Sequence, residues 1–99
     1  MDVKISSVHF NADKKLLDFI DKKVNKIVKL YEAIIGAEVI LRLENSQELD
    51  NKVAEIRLLV PGYDLFAKKQ SKSFEEATDI AIEALKQQIV KHKEKLRGV

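Results

Sequence analysis

The chain has 99 residues, with 18 Lys+Arg, 16 Asp+Glu, two His and no Cys, for a formal net charge of +2. That length predicts a single domain over residues 1–99, with one core and no room for a separate cofactor domain. The 45% apolar and 34% charged content is that of a globular chain rather than a disordered one. Absence of Cys excludes disulfides, thiolate metal sites and catalytic thiols and makes the cytoplasm the default compartment. Residues 1–10 lack a signal-peptide pattern, and no apolar run is long enough to cross a membrane.

In chain order, Val3, Ile5, Val8 and Phe10 alternate loosely over residues 3–10, which predicts a first strand. Asn11 offers a helix N-cap. From Ala12 to about Ile34 the apolar residues fall at 16, 17, 20, 24, 27, 28 and 31, the spacing of an amphipathic helix, with Gly36 as its C-terminal stop. Residues 37–44 and 52–60 read as two strands around a polar loop, Asn45–Asn51. Pro61-Gly62 forms a turn, and Tyr63–Lys69 a fourth strand. Ser73 with Glu76 makes a capping box opening a second long helix that reaches about Leu96.

The order β-α-β-β-β-α predicts an α+β fold: a four-stranded sheet with two helices packed on one face and the other face solvated. The first β-α-β unit should be a right-handed crossover, and the remaining strands should join as antiparallel hairpins.

The weak net charge conceals segregation. Residues 13–29 carry six Lys against Asp13, Asp18 and Asp21, residues 37–64 are net acidic, Lys68, Lys69 and Lys72 form a second basic block, and residues 86–97 carry five bases against Glu94. At about 100° per residue, Leu16, Leu17, Ile20, Val24, Ile27 and Tyr31 share the sheet-facing arc of the first helix. One flank collects Lys15, Lys22, Lys26 and Lys29. On the second helix the core line Phe74, Ala77, Ala81, Leu85 gives way to Gln88, His92 and Lys95. A helix of about 24 residues spans about 36 Å and strands of ordinary length about 17–20 Å, so its basic C-terminal turns should overhang the sheet. Helix-dipole complementation accounts for Lys95 or Arg97 but not for five bases beginning at Lys86. Helical lysines bind phosphate as point charges without reading sequence, so the basic end suits a structured RNA backbone.

No Gly-rich phosphate loop, nucleophile elbow or metal-ligand spacing is present, so enzyme chemistry, a metal, a cofactor and a small-molecule substrate all lack support. His9 reads as a hydrogen-bonded structural residue. His92 reads as a helix-end packing residue, with base stacking as the alternative. Glu75, Glu76, Asp79 and Glu83 suit the positive helix N-terminus and a solvated face. Tyr63 and Phe66 should pack around the fourth strand. Base-stacking aromatics on an exposed sheet are not evident among six aromatic residues, which disfavours sequence-specific recognition of single strands.

Leu65-Phe66-Ala67, leading into Ser73-Phe74-Glu75-Glu76-Ala77-Thr78-Asp79, and the run Gln88-Ile89-Val90-Lys91-His92-Lys93-Glu94-Lys95-Leu96 resemble the ribosome hibernation promoting factor family, also called ribosome-associated inhibitor or sigma-54 modulation proteins. Lys23-Val24-Asn25-Lys26 matches that family's K-x-x-K, and the resemblance covers essentially the whole chain. It implies a fold like that of double-stranded RNA-binding domains and a non-enzymatic role. It further implies binding to the 30S ribosomal subunit and its 16S rRNA across the mRNA and tRNA channel, which blocks translation and stores ribosomes under stress or in stationary phase. Lys23, Lys26, Lys91 and Lys95 match basic family positions. Ala84 and Gln87 stand where relatives commonly carry Lys and Arg, with Lys86 as a nearby substitute, and Glu75 stands where they often carry an aromatic. A chain ending at Val99 resembles the short form of the family, which would pair ribosomes only with a separate pairing factor, if at all. The expected RNA-binding set is Lys22, Lys23, Lys26, Lys29, Lys86, Lys91, Lys93, Lys95 and Arg97. Two other readings compete with this one: a general double-stranded RNA-binding module acting off the ribosome, and a protein-binding adaptor that uses the open sheet face.

Overall fold

The computed structural model describes the backbone of residues 2–44 and 49–96, and the side chains of residues 3–44 and 49–93. Its elements are β1 (Asp2–Val8), α1 (Lys14–Val28), β2 (Gly36–Leu43), β3 (Lys52–Val60), β4 (Tyr63–Ser71) and α2 (Phe74–Leu96). The strands form one sheet in the order β1-β2-β3-β4. β1 and β2 are parallel, joined across α1, and β2, β3 and β4 are antiparallel.

Register explains the binary pattern. Val3, Ala37, Leu58 and Leu65 align across the sheet, and so do Ile5, Val39, Ile56 and Ala67. Both rows face the helices, and their members on β2 and β3 are no more than 1% exposed. A one-residue slip would put every one of these side chains into water, so burial pins the register. The opposite face carries Lys4, Glu38, Arg57 and Phe66 in one row and Ser6, Ile40, Glu55 and Lys68 in the next. Ile20, Val24, Ile27 and Val28 from α1 and Phe74, Ala77, Ala81, Ile82, Leu85 and Ile89 from α2 close the core.

Element boundaries depart from the pattern where the chain has to turn. β1 ends at Val8 because His9 adopts φ 71°, a left-handed conformation that diverts the strand. Phe10 then stacks on Phe74 with ring centroids 4.5 Å apart. The role of His9 is thus a backbone one; its side chain makes no hydrogen bond among the described residues. The cap of α1 is Asp13, not Asn11, its carboxylate accepting from the Leu16 amide at 2.8 Å. The same helix stops at Val28, short of the expected Ile34. Tight turns follow, with the Leu30 amide donating to Ile27 at 3.0 Å and the Ile34 amide to Tyr31 at 3.1 Å. Helical periodicity persisted through these turns because Ile34 is still buried, at 1% exposure. Gly36 opens β2 instead of capping the helix.

β4 runs two residues past Lys69, to Ser71. Ser73 then caps α2, its Oγ accepting from the Glu76 amide at 3.1 Å. α2 lies antiparallel to β4, so Gln88 donates to the Phe66 carbonyl at 2.9 Å and His92 reaches Tyr63. The nine-residue strands β3 and β4 span about 30 Å at 3.3 Å per residue, against about 34 Å for α2. The expected overhang of the turns carrying Lys91, Lys93, Lys95 and Arg97 is therefore corrected as far as Lys93: His92 and Lys93 are half-buried against the body, while the side chain of Lys95 and the whole of Arg97 lie outside the described residues.

Candidate nucleic-acid interface

α1 and α2 run side by side in the same direction. Their starts are linked by the Phe10–Phe74 stack, and their ends by Lys93, whose ammonium donates to the Leu30 carbonyl at 3.0 Å. This arrangement decides which basic blocks meet. The block at Lys22–Lys29 and the block beginning at Lys86 converge along the C-terminal halves of the two helices. Lys68 and Lys69 lie toward the end of β4, Lys68 on the open sheet face, and Lys72 at the β4–α2 junction, with Lys72 and Lys86 about 21 Å apart at 1.5 Å per helical residue.

Where the helices adjoin, a groove of about 270 Å³ is lined by Lys23, Lys26, Ile27 and Leu30 on one side and Asp79, Ile82, Glu83 and Lys86 on the other. The Lys23 ammonium lies 3.3 Å from an Asp79 carboxylate oxygen, and that of Lys86 lies 3.4 Å from Glu83. Lys26 has no carboxylate partner among the described residues. Lys22 and Lys29 are exposed and bracket Lys26 along the same helical flank, four residues before it and three after. The acids were expected on a solvated face and at the helix N-terminus. Glu75 and Glu76 occupy the first turn of α2 and Glu83 is exposed as expected, paired with Lys86 on its own helix, whereas Asp79 turns toward α1 and pairs with Lys23.

The basic end of α2 is not one face. Lys91 is exposed and, at 100° per residue, points about 200° away from Lys93. Lys93 is partly consumed as a staple, since it bonds Leu30 and lies 5.4 Å over the Tyr31 ring. The side chain of Lys95 and the whole of Arg97 fall outside the described residues. The structure thus gathers Lys23, Lys26 and Lys86 at one groove, flanks it with Lys22 and Lys29, and places Lys91 beside Lys86 at an adjoining open hollow lined also by Gln87 and Val90.

Beside this groove lies a cluster the sequence pattern did not assemble. The Tyr31 and Tyr63 hydroxyls are 3.1 Å apart, and the His92 ring lies 4.1 Å from the Tyr63 ring and 6.0 Å from that of Tyr31. His92 is thereby a packing residue, as its first reading held. Burial, reinforced by the hydrogen bond to Tyr31, pushes the Tyr63 phenol up to about 12. Tyr31 lies in the turns after α1, Tyr63 opens β4 and His92 is on α2, and they share no sequence spacing, so only the fold brings them together.

The open sheet face is paired within itself. Arg42 meets Glu55 at 3.3 Å, and Arg57 meets Asp64 at 3.5 Å while lying 5.1 Å over the Phe66 ring. Phe66 is 40% exposed there, which corrects the expectation of a sheet without exposed aromatics. Its carbonyl holds Gln88 and its ring carries Arg57, so it is an occupied platform. No described helix is long and apolar enough to cross a membrane.

Solved structures share this architecture. A ribosomal subunit interface protein from Coxiella burnetii superposes with a TM-score of 0.83 at 19% identity, over 95% of this chain and 99% of that one. The N-terminal domain of Thermus thermophilus Protein Y gives 0.75 at 21% identity, over 90% and 96%. The fold is therefore that of the ribosomal subunit interface proteins. Residues 3–97 match the family described as sigma 54 modulation protein / S30EA ribosomal protein, and the chain belongs to that family. Among relatives, the ribosome hibernation promoting factor of Pseudomonas putida is 30% identical over 99 residues, covering 100% of this chain and 93% of that protein. The factor of the same name from Azotobacter vinelandii is 28% identical over 95 residues, covering 96% and 85%.

Proposed function

We propose that this protein is a ribosome-associated hibernation factor that inhibits translation without catalysis. It binds the 30S subunit through 16S rRNA in the mRNA and tRNA channel and holds ribosomes inactive in the cytoplasm during stress or stationary phase. The observation that carries this reading is the convergence of Lys22, Lys23, Lys26 and Lys29 with Lys86 along two parallel helices. Point charges on a rigid two-helix layer suit the phosphates of a folded RNA, whose shape rather than base sequence is recognised. The internally paired, mixed-sign sheet face offers RNA no comparable attraction. Family membership and relatives named for ribosome hibernation support the same assignment.

Cosedimentation with purified 30S and 70S particles tests it. Binding should persist at moderate salt and weaken steeply as salt rises, because each phosphate contact releases counterions, and added protein should repress translation by purified ribosomes. Comparable affinity for naked duplex RNA and for 30S particles would instead favour a general RNA-binding module.

A further inference from the structure

The groove between α1 and α2 carries two carboxylates in the midst of its lysines. Asp79 and Glu83 line it together with Lys23, Lys26 and Lys86, so two of its three positive charges are opposed. Asp79 pairs with Lys23 across the two helices at 3.3 Å, both side chains about half exposed, and Glu83 pairs with Lys86 three residues along α2 at 3.4 Å, with Glu83 the more exposed of the two. Helix-dipole complementation fades beyond the first turn, and that turn is occupied by Glu75 and Glu76. Solubility accounts for acids on α2 but not for Asp79 facing Lys23 across the helix pair, with Glu83 beside Lys86 in the same groove.

We propose that Asp79 and Glu83 set the specificity of this surface: by holding Lys23 and Lys86 in ion pairs, they lower its attraction for RNA backbone in general. This inference rests on the ribosome-binding reading above. Nonspecific affinity follows the number of cations free to neutralise phosphate, and with both pairs closed only Lys26 is free in the groove. Exposed ion pairs open at small cost. An RNA surface that also engages Lys22, Lys29 and Lys91 covers that cost, whereas a short generic duplex touching the groove alone does not. Discrimination then comes from the penalty placed on the wrong partner. The two acids are positioning residues, acting through the lysines they hold.

The test compares wild type with an Asp79→Asn, Glu83→Gln double variant on a generic RNA duplex of about 20 base pairs, long enough for one small domain, across a salt series. The double variant should bind the duplex about tenfold more tightly, and its salt slope should steepen by about one to two, as two more lysines displace counterions. Asp79→Glu, which keeps a carboxylate within reach of Lys23, should behave as wild type. With the same duplex added as competitor to 70S pelleting, wild type should stay on ribosomes at concentrations that strip the double variant. Unchanged or weaker duplex binding, an unchanged slope, or an Asp79→Glu protein that matches the double variant would overturn the proposal. A wild type that fails to pellet even without competitor would sink the hibernation reading, while the duplex comparison would still decide what the two acids do.

Discussion

Thr78 is fully buried, and its hydroxyl oxygen has no hydrogen-bond partner among the described residues. A buried unpartnered hydroxyl costs about 1–3 kcal/mol of desolvation. Thr78→Val keeps the shape and removes the polar atom, so it should stabilise the fold by about 1 kcal/mol, read as a higher urea midpoint at unchanged slope. Tyr63 has a distinct signature. With its phenol raised from 10.0 to about 12, the folded state holds a proton that the unfolded state releases first. The stabilisation is fully present below pH 10 and is lost as pH rises through about 12. Unfolding midpoints taken from pH 9 upward should fall for wild type, and fall less in Tyr63→Phe. His9 shows the limits of residue type as a guide: a histidine near a strand end suggests a side-chain role, whereas its use here is a left-handed backbone.

For the elements, the start of α1 tests how local signals compete. Asn11 and Asp13 are both acceptable caps by residue type, yet the Asp13 carboxylate is the one that meets the Leu16 amide. Asp13→Ala should cost about 1 kcal/mol and Asn11→Ala close to nothing, a contrast that thermal denaturation of the two variants would resolve. The second helix was legible to within a residue at its start, because Ser73 and Glu76 form a local capping signal that needs no tertiary partner. The end of α1 was not. Tyr31 and Ile34 keep helical spacing while serving a turn that returns the chain to β2, and burial is blind to that difference. The turn of α2 around Lys91–Lys93 was misjudged for a related reason: strand length sets how much helix the sheet can support, and β3 and β4 are longer than average strands.

For the whole molecule, function resides in what two parallel helices bring together. Reversing Lys26 and Lys91, both exposed, with the double change Lys26→Glu, Lys91→Glu should weaken ribosome binding by at least tenfold, roughly the effect of losing two or more phosphate contacts. Stability should change by no more than about 0.5 kcal/mol, as for surface sites away from the core. Pelleting with 70S particles beside a thermal melt separates the two effects, and unaltered binding would point to the open sheet face.

Apolar alternation and helical spacing by themselves determined the element order, the two-layer fold and most of the core, because a strand or helix must bury one face and the period of that face is written locally. Composition likewise identified lysine as the residue type of interest. Only the tertiary structure decided which lysines act together. It ran α1 and α2 in the same direction, set Lys23, Lys26 and Lys86 around one groove, left Lys68, Lys69 and Lys72 away from it, and brought Asp79 and Glu83 to that groove. The physical reason is that charge interactions depend on distance in space, over a screening range of roughly 10 Å, and residues more than fifty positions apart in sequence acquire such distances only when the core closes.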